Sequence, residues 1–562
     1  KDSRLITRLL NLLPLYRSEE LSNYQLNAEV AHLLPGNSAV LGAAGVSYID
    51  DFESSESNYD LRSFNSWFHS STPSRYPEHR LRDSLPYGYN RANLSWYNID
   101  PLFFRNSPLT PTHIQNDVAM KSNHYMREVL VQEVFPNRQL ANNQPVNLPT
   151  FDLAYYPTEK GPYNFDALSS PLSAGIDTAG RLLNPASRWG GMQRRVEPND
   201  FEAANIEFIE FWMMDPFINQ PNHRGGTLYF NLGNCSEDIL KDGRRSFENG
   251  FPKADGTGQV DTTAWGLVPK LPPLVSAFDN NPASRTTQDV GLDGFDDPAE
   301  RGFYGDRFLT PLANALGTNS TAYQKALNDP ASDNYHHFRG SDLDAAKVSV
   351  LGRYKRFNLP QGNSATDQQS PEPYPTSATN VPNSEDLNND NTLTQTEDYF
   401  EYRVNLFPSE MQIGQNYITD IYESPVTLRN GTTETVKWYQ FRVPVLAPDR
   451  RVGIFRITSP FASPECISRV LTTASYAGWL PCNWSVPIGV AICKAWPLRV
   501  NTHLLTKGTP RCFCYPPLTS KKTVTNYRFP MFCLQALSVF VMCTPQISNS
   551  LMNNLCKFAF AN

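Results

Sequence analysis

FEAANIEFIEFWMMDPF (201–217), then a polar connection ending in Gly225-Gly226, then TLYFNL (227–232), is the stretch that decides the fold. In the second run Leu228, Phe230 and Leu232 fall on one side and Thr227, Tyr229 and Asn231 on the other. That is the period of two expected of a half-buried strand. In the first run Ile206, Phe208, Trp212 and Met214 share one face and Ile209, Phe211 and Met213 the other. Both faces turn apolar toward the end, which predicts a central strand covered on both sides. Asp215-Pro216 stops it, because proline cannot donate to a ladder. A helix is the alternative for this run, but Phe, Ile and Trp favour strands. The two runs predict the core strands of a large β-rich domain.

Composition narrows the function classes. The chain has 562 residues, enough for several domains, and a formal net charge of -7. A mildly acidic chain is a poor nucleic-acid binder, since phosphates need a basic patch. The 45 prolines and 12% aromatics suit a loop-rich β protein. The chain opens at Lys1 without a methionine or a signal-peptide pattern, as expected of a piece of a longer product. No run reaches the roughly 18 apolar residues of a membrane helix. Cys235 is the only cysteine before Cys466, so no disulfide framework is expected in the main body.

Taken in order, residues 1–44 read as a connecting segment that could supply a barrel strand, with a weak alternation at 24–31. Asp50, Asp51, Glu53 and Glu56 crowd the next stretch, which reads as a solvated loop or a cation site. LSWYNIDPLFFR (94–105) predicts a strand closed by Asp100-Pro101. Asn123 to Phe135 is the best helix candidate, with Met126, Val129, Leu130 and Val134 in one stripe and Pro136 as its stop. Arg188, Arg194 and Arg195 flank Trp189-Gly190-Gly191 and predict ion pairs more readily than an anion site. DVGLDGFDDPAERGFYGD (289–306) is an acidic, glycine-rich cation candidate without regular ligand spacing. Residues 307–357 look partly helical. His336 and His337 are adjacent, so on a strand they point apart and chelate one ion poorly. Residues 360–385 read as a linker or exposed loop. YFEYRVNLF (399–407) and WYQFRVPVL (438–446) give two more strands, joined by a long connection with a turn at Asn430-Gly431.

The run Asp386 to Glu397 predicts a calcium site. Calcium takes six to eight oxygens, which an EF-type loop supplies from positions 1, 3, 5, 7, 9 and 12. These fall on Asp386, Asn388, Asp390, the Thr392 carbonyl, Thr394 and Glu397. Asn391 replaces the usual glycine at position 6, where asparagine is the next most tolerant residue. The competing reading is an Asx-rich turn that satisfies itself.

Beyond Gly453 the chain changes character. Glu465 is the sole acidic residue there, and eight of the nine cysteines lie from Cys466 onward in no zinc spacing. Translation out of frame accounts for this better than a distinct cysteine-rich domain. GIFRITSPF (453–461) can be encoded so that reading two nucleotides on gives Asp-Phe-Gln-Asp-Tyr-Lys-Ser-Ile-Arg, an ordinary acidic strand. The tail, 453–562, is therefore expected to lack a stable fold and not to pack onto the body. A missing closing strand would leave an edge beside Tyr439–Val445.

Several motifs in order carry a resemblance. They are SYIDDFESSES (47–57), WYNIDPLF (96–103), NHYMREVL with EVFPNRQL (123–140), RWGGM (188–192) and FEAANIEFIEFWMMDPF (201–217). LYFNLGNCSEDIL (228–240), DVGLDGFDD (289–297), FRGSD (338–342) and EDLNNDNTLTQTEDYFEY (385–402) continue the series. Together they resemble the SprA/Sov family, the outer-membrane translocon of the type IX secretion system, gliding-motility proteins of Bacteroidetes. The resemblance runs from about residue 1 to 452, and the shifted reading of 453–461 resembles the segment expected next.

The resemblance implies a fragment of a giant outer-membrane β-barrel protein, mainly β with short helices, carrying a jelly-roll-like β-sandwich insert. The implied layout is 1–44 connecting segment, 45–275 sandwich core, 276–398 irregular insertion with linker and calcium loop, 399–452 returning strands and 453–562 tail. The implied function is structural: part of a protein-conducting pore for folded cargo and gliding adhesins, at the outer membrane, the cell surface or its periplasmic face. Its partners would be other subunits of that system and the exported cargo, with no nucleic acid and no enzyme activity. A surface glycan-binding β-sandwich is the alternative. A secreted hydrolase is a third reading, but no G-x-S-x-G or H-E-x-x-H occurs.

Overall fold

The computed structural model describes residues 59–105, 107–140, 146–197, 201, 206–250, 259–273, 276–279, 281–364, 372, 375–377, 379 and 381–453. It also describes the backbone of strands at 2–3, 22–23, 466–472, 484–494, 539–548 and 551–560. The chain divides into two compact units. One comprises Lys1–Ser55, Trp496–Phe540 and Ala559–Asn562 and includes the short pair Asp2–Ser3 with Ser22–Asn23. The other comprises Glu56–Ala495 and Val541–Phe558 and contains everything discussed below. The expected strand at 24–31 and the acidic residues Asp50, Asp51, Glu53 and Glu56 lie outside the described residues.

Two antiparallel sheets face each other across one core. The first has the order Arg450–Val452, Asp398–Leu406, Gly226–Asn234, Cys466–Thr472, Trp189–Arg195, Phe68–His69. The second has the order Ile418–Thr427, Thr433–Pro444, Ile206–Met214, Trp484–Lys494, Phe151–Lys160, Ala92–Tyr97, with Tyr59–Asp60 also pairing Trp484–Lys494. The chain repeatedly crosses from sheet to sheet, as in a jelly roll, and the described residues form no closed barrel.

The deciding stretch supplies one strand to each sheet. Phe211 of Ile206–Met214 meets Phe230 of Gly226–Asn234 at 5.5 Å between ring centroids. Phe211 also stacks on Phe441 at 4.7 Å. Ile209, Phe211 and Met213 enter the main core together with Leu228, Phe230 and Leu232. On the opposite face Met214 and Trp212 pack with Trp438, Val436 and Tyr125, so this strand is covered on both sides as expected. Gly226–Asn234 differs from expectation. Thr227, Tyr229 and Asn231 are buried as well, because loops and Arg75, which sits 3.6 Å over the Tyr229 ring, cover the outer face.

Other expectations need correction. The helix expected from Asn123 to Phe135 is absent; helical turns occur only at Val118–Lys121 and Val131–Val134. The Asn123 side chain accepts from Tyr125 N, which starts a turn, and Val129 and Val131 exchange backbone bonds with residues 146 and 148. A buried Arg127–Glu133 pair and the Trp438 indole then fix the segment. LSWYNIDPLFFR is a strand only to Tyr97, after which Asp100 caps a single turn at Pro101–Phe103. The connection after Phe407 holds a strand, Ile418–Thr427, hairpinned to Thr433–Pro444 through Gly431 at φ 85°. Residues 438–441 are therefore paired on both sides, so no edge lies beside 439–441, while residues 442–444 pair only with Ile206–Met214.

Residues 360–385 are not a free linker. Glu248 accepts Asn363 N at 3.2 Å and Asn383 N at 2.9 Å, which pins both ends of that stretch to one carboxylate. Residues 307–357 are partly helical, as expected, with helices at Thr310–Leu316, Thr321–Asn328, Ser341–Ala345 and Val350–Arg353. Beyond Gly453, Cys466–Thr472 pairs with Gly226–Asn234 and Trp189–Arg195, and Trp484–Lys494 pairs with Ile206–Met214 and Phe151–Lys160.

Candidate functional site

Glycine and aspartate build the site. In DVGLDGFDDPAE the chain turns twice through left-handed glycines, Gly291 at φ 73° and Gly294 at φ 72°. Asp296 then caps the helix Asp297–Phe303 by accepting Ala299 N at 3.0 Å. The turns aim Asp293 inward, and the helix carries Glu300 on its buried side. After the helix Thr321–Asn328, the return loop brings Asp329 and Asp333 to the same place.

One oxygen each from Asp293, Glu300 and Asp333 lies within 4.8 Å of the others, and all three residues are buried. A second set, Asp297, Glu300 and Asp329, shares Glu300. Backbone and neighbours fix the carboxylates. Phe295 N donates to Asp293 Oδ1 at 3.1 Å, and the Tyr304 hydroxyl lies 3.0 Å from Asp293 Oδ2. Ala331 N donates to Glu300 Oε2 at 2.9 Å. Asn334 donates to Asp297 at 2.9 Å and Arg356 to Asp329 at 2.8 Å.

The fully buried Asp333 receives no hydrogen bond in bonding geometry on either oxygen, nor does Glu300 Oε1. The Tyr163 hydroxyl, which accepts Leu292 N at 2.7 Å, comes near enough to Asp333 to ease its ionisation. Burial is the main cause pushing the Asp293 carboxyl up to about 8 and that of Glu300 up to about 12, with like charges adding to the second. Burial also raises Asp333 well above the carboxylate range, with Asp293 and Asp329 adding to it. A cleft of about 540 Å³ opens beside this centre, lined by Asp329, Ser332, Lys160, Lys355 and Arg356.

In the loop 386–397, expected to hold calcium, several of the candidate ligand oxygens have protein partners, whereas Glu397 Oε2 is buried without a hydrogen bond. Asp386 Oδ2 pairs with Arg245 at 2.9 Å, and its Oδ1 accepts Asp390 N at 3.2 Å. Asn388 both donates to Asp390 and accepts its N–H. Asp390 Oδ1 accepts both the N–H and the hydroxyl of Thr392. Thr394 N donates to Glu237, and Glu397 faces His79 at 3.4 Å. Asn389 and Asn391 adopt φ 56° and 64°, so the left-handed turn expected at position 6 is present.

Glu385, just upstream, accepts Ile239 N, Leu240 N and Ser246 N within a second acidic set with Asp238 and Asp242. The arginine trio is dispersed. Arg188 is buried against Asp166, Arg194 lies over Tyr59 and Trp67, and Arg195 donates to the Asn388 carbonyl. His336 pairs with Asp342, while His337 accepts Arg339 N, so the two rings serve different partners.

The sequence singled out 289–306 but not Asp329 or Asp333, which lie far along the chain and become neighbours only through the helical hairpin. Residues 307–459 match the family model of a motility related/secretion protein, SprA_N. That range contains Asp329, Asp333 and the 386–397 loop. No curated protein matches the chain. The match ties the chain to secretion and motility, and so to the cell envelope. It supports assignment of the chain to the SprA/Sov family.

Proposed function

We propose that this chain is a structural part of the outer-membrane translocon of the type IX secretion system, helping to form the pore that exports folded cargo and gliding adhesins. The observation that carries this is the family match at 307–459, which falls in register with the ordered motifs from 47 to 402. In this reading the sandwich is a rigid, non-catalytic module of the parent protein, in contact with other subunits and with passing cargo. The glycan-binding alternative needs exposed aromatics along one sheet face. Among the described residues the exposed large apolar side chains are aliphatic, such as Leu109, Leu271 and Leu446.

The test is deletion of codons 59–452 from the parent gene in its own bacterium. Cargo should accumulate in the periplasm and colony spreading should cease. Normal export and spreading would refute the reading. So would flanking sequence that lacks a long series of roughly 10-residue alternating strands.

A further inference from the structure

We propose that Asp293, Glu300 and Asp333 bind one divalent cation of the calcium class, with Asp297 and Asp329 as an outer pair beside Glu300. Three oxygens within 4.8 Å of one another fit around one ion, because two ligands at about 2.3–2.6 Å from calcium lie no more than about 5 Å apart. The independent observation is Asp333. Its side chain is fully buried, it points into the group, and neither oxygen has a partner in good hydrogen-bonding geometry, the Tyr163 hydroxyl being its nearest polar neighbour. Glu300 Oε1 is in the same position. Buried polar groups are normally satisfied, and the exceptions call for a missing partner.

The donor set is all oxygen, which selects a hard cation over zinc or copper. The ligands come from a turn, a helix and a distant loop, an arrangement whose geometry suits calcium better than the strict octahedron of magnesium. Gly291 leaves the space: a Cβ there would stand 2.4 Å from Asp333 Oδ2 and 3.5 Å from Asp293 Oδ1. The cleft lined by Asp329 provides a way in. Leu267 N donates to the Asp293 carbonyl, and Tyr163 N to that of Ala331. The ion would therefore lock the inserted helices to the segments beside the sandwich.

The test is calorimetry and thermal unfolding of the full chain, stripped with EDTA and titrated with calcium to millimolar concentration. Wild type should bind and its unfolding midpoint should rise by several degrees, with a smaller rise in magnesium. Asp293→Asn with Asp333→Asn should lose at least tenfold in affinity and most of the midpoint rise. Without calcium that variant should be about as stable as wild type, since each amide replaces a carboxyl group of nearly the same shape. A variant that fails to fold, or that binds like wild type, overturns the proposal, as does a wild type that gives no heat. Asp386→Ala with Glu397→Gln should keep the binding. Loss there alone would place the ion in the 386–397 loop and refute the assignment made here. Equal responses to magnesium and calcium would refute the calcium class.

Discussion

Replacing Arg188 by Met should cost the fold several kcal/mol. The side chains of Arg188 and Asp166 are both fully buried and meet at 2.8 Å. Arg188 also donates to the carbonyls of Leu183, Tyr89 and Gly175 at 2.9, 2.8 and 3.1 Å, so one guanidinium ties together three segments. Removing one partner of a buried pair costs about 3–5 kcal/mol, because the other charge is left in a poor solvent. The orphaned carbonyls push the figure to the upper end. Against a total stability of roughly 5–15 kcal/mol this is a large fraction.

The assay is urea unfolding followed by tryptophan fluorescence, comparing Arg188→Met, Asp166→Leu and the double variant. The double variant should be less damaged than the sum of the single variants, since each single change strands a charge that the other removes. Arg195→Met, at an exposed position, should change stability by less than about 1 kcal/mol. A loss below about 1 kcal/mol in Arg188→Met, or additive single losses, would refute the reasoning.

Three further outcomes follow from the structure. Asp152 is buried and desolvation pushes its carboxyl up to about 8. It therefore holds its proton more tightly folded than unfolded, and its contribution to stability is present below about pH 4 and lost as pH rises toward 8. Asp152→Asn should gain on wild type steadily between pH 5 and 8, by at most about 1.4 kcal/mol per unit in urea titrations, and a pH-independent difference would contradict this. Gly190→Val should destabilise by about 1–3 kcal/mol, because a Cβ there already stands 2.9 Å from Leu94 Cβ and 3.0 Å from the Tyr155 ring; an unshifted urea midpoint would show that the two sheets can part. Glu385→Ala strands three buried backbone N–H groups at about 1–3 kcal/mol each, and should selectively raise hydrogen exchange at Ile239, Leu240 and Ser246.

The parts of this fold that were legible in the sequence are those where side-chain alternation and burial agree. Ile206–Met214, Gly226–Asn234 and Asp398–Leu406 announce themselves because each points large apolar side chains into the core at every second position. Ile418–Thr427 does not. As an edge strand it faces solvent along most of its length, and it contains Pro425, so its pattern is polar and reads as a connection. The stripe at Met126, Val129 and Val134 misled in the opposite way. Those side chains are buried, but in a turn held by Arg127–Glu133 and by cross-chain backbone bonds, and helical spacing arises there without a helix. The acidic centre was half legible. Its turns and capping aspartate follow from the glycines and from Asp296-Asp297-Pro298, whereas Asp333 joins only through long-range folding.

The strands beyond Gly453 raise a different question, namely which part of the chain demands them. Gly226–Asn234 and Trp189–Arg195 both bond to Cys466–Thr472, and Ile206–Met214 and Phe151–Lys160 both bond to Trp484–Lys494. Those four flanking strands are rich in buried residues and present backbone donors and acceptors toward the shared neighbour. Buried backbone groups must be paired, so residues before Gly453 by themselves require one further strand in the middle of each sheet. The occupant of the second position is poorly suited to it. Pro487 sits opposite Asp152, and a residue without an N–H cannot donate to that ladder. The body's own strands thus call for one strand at each of these two central positions.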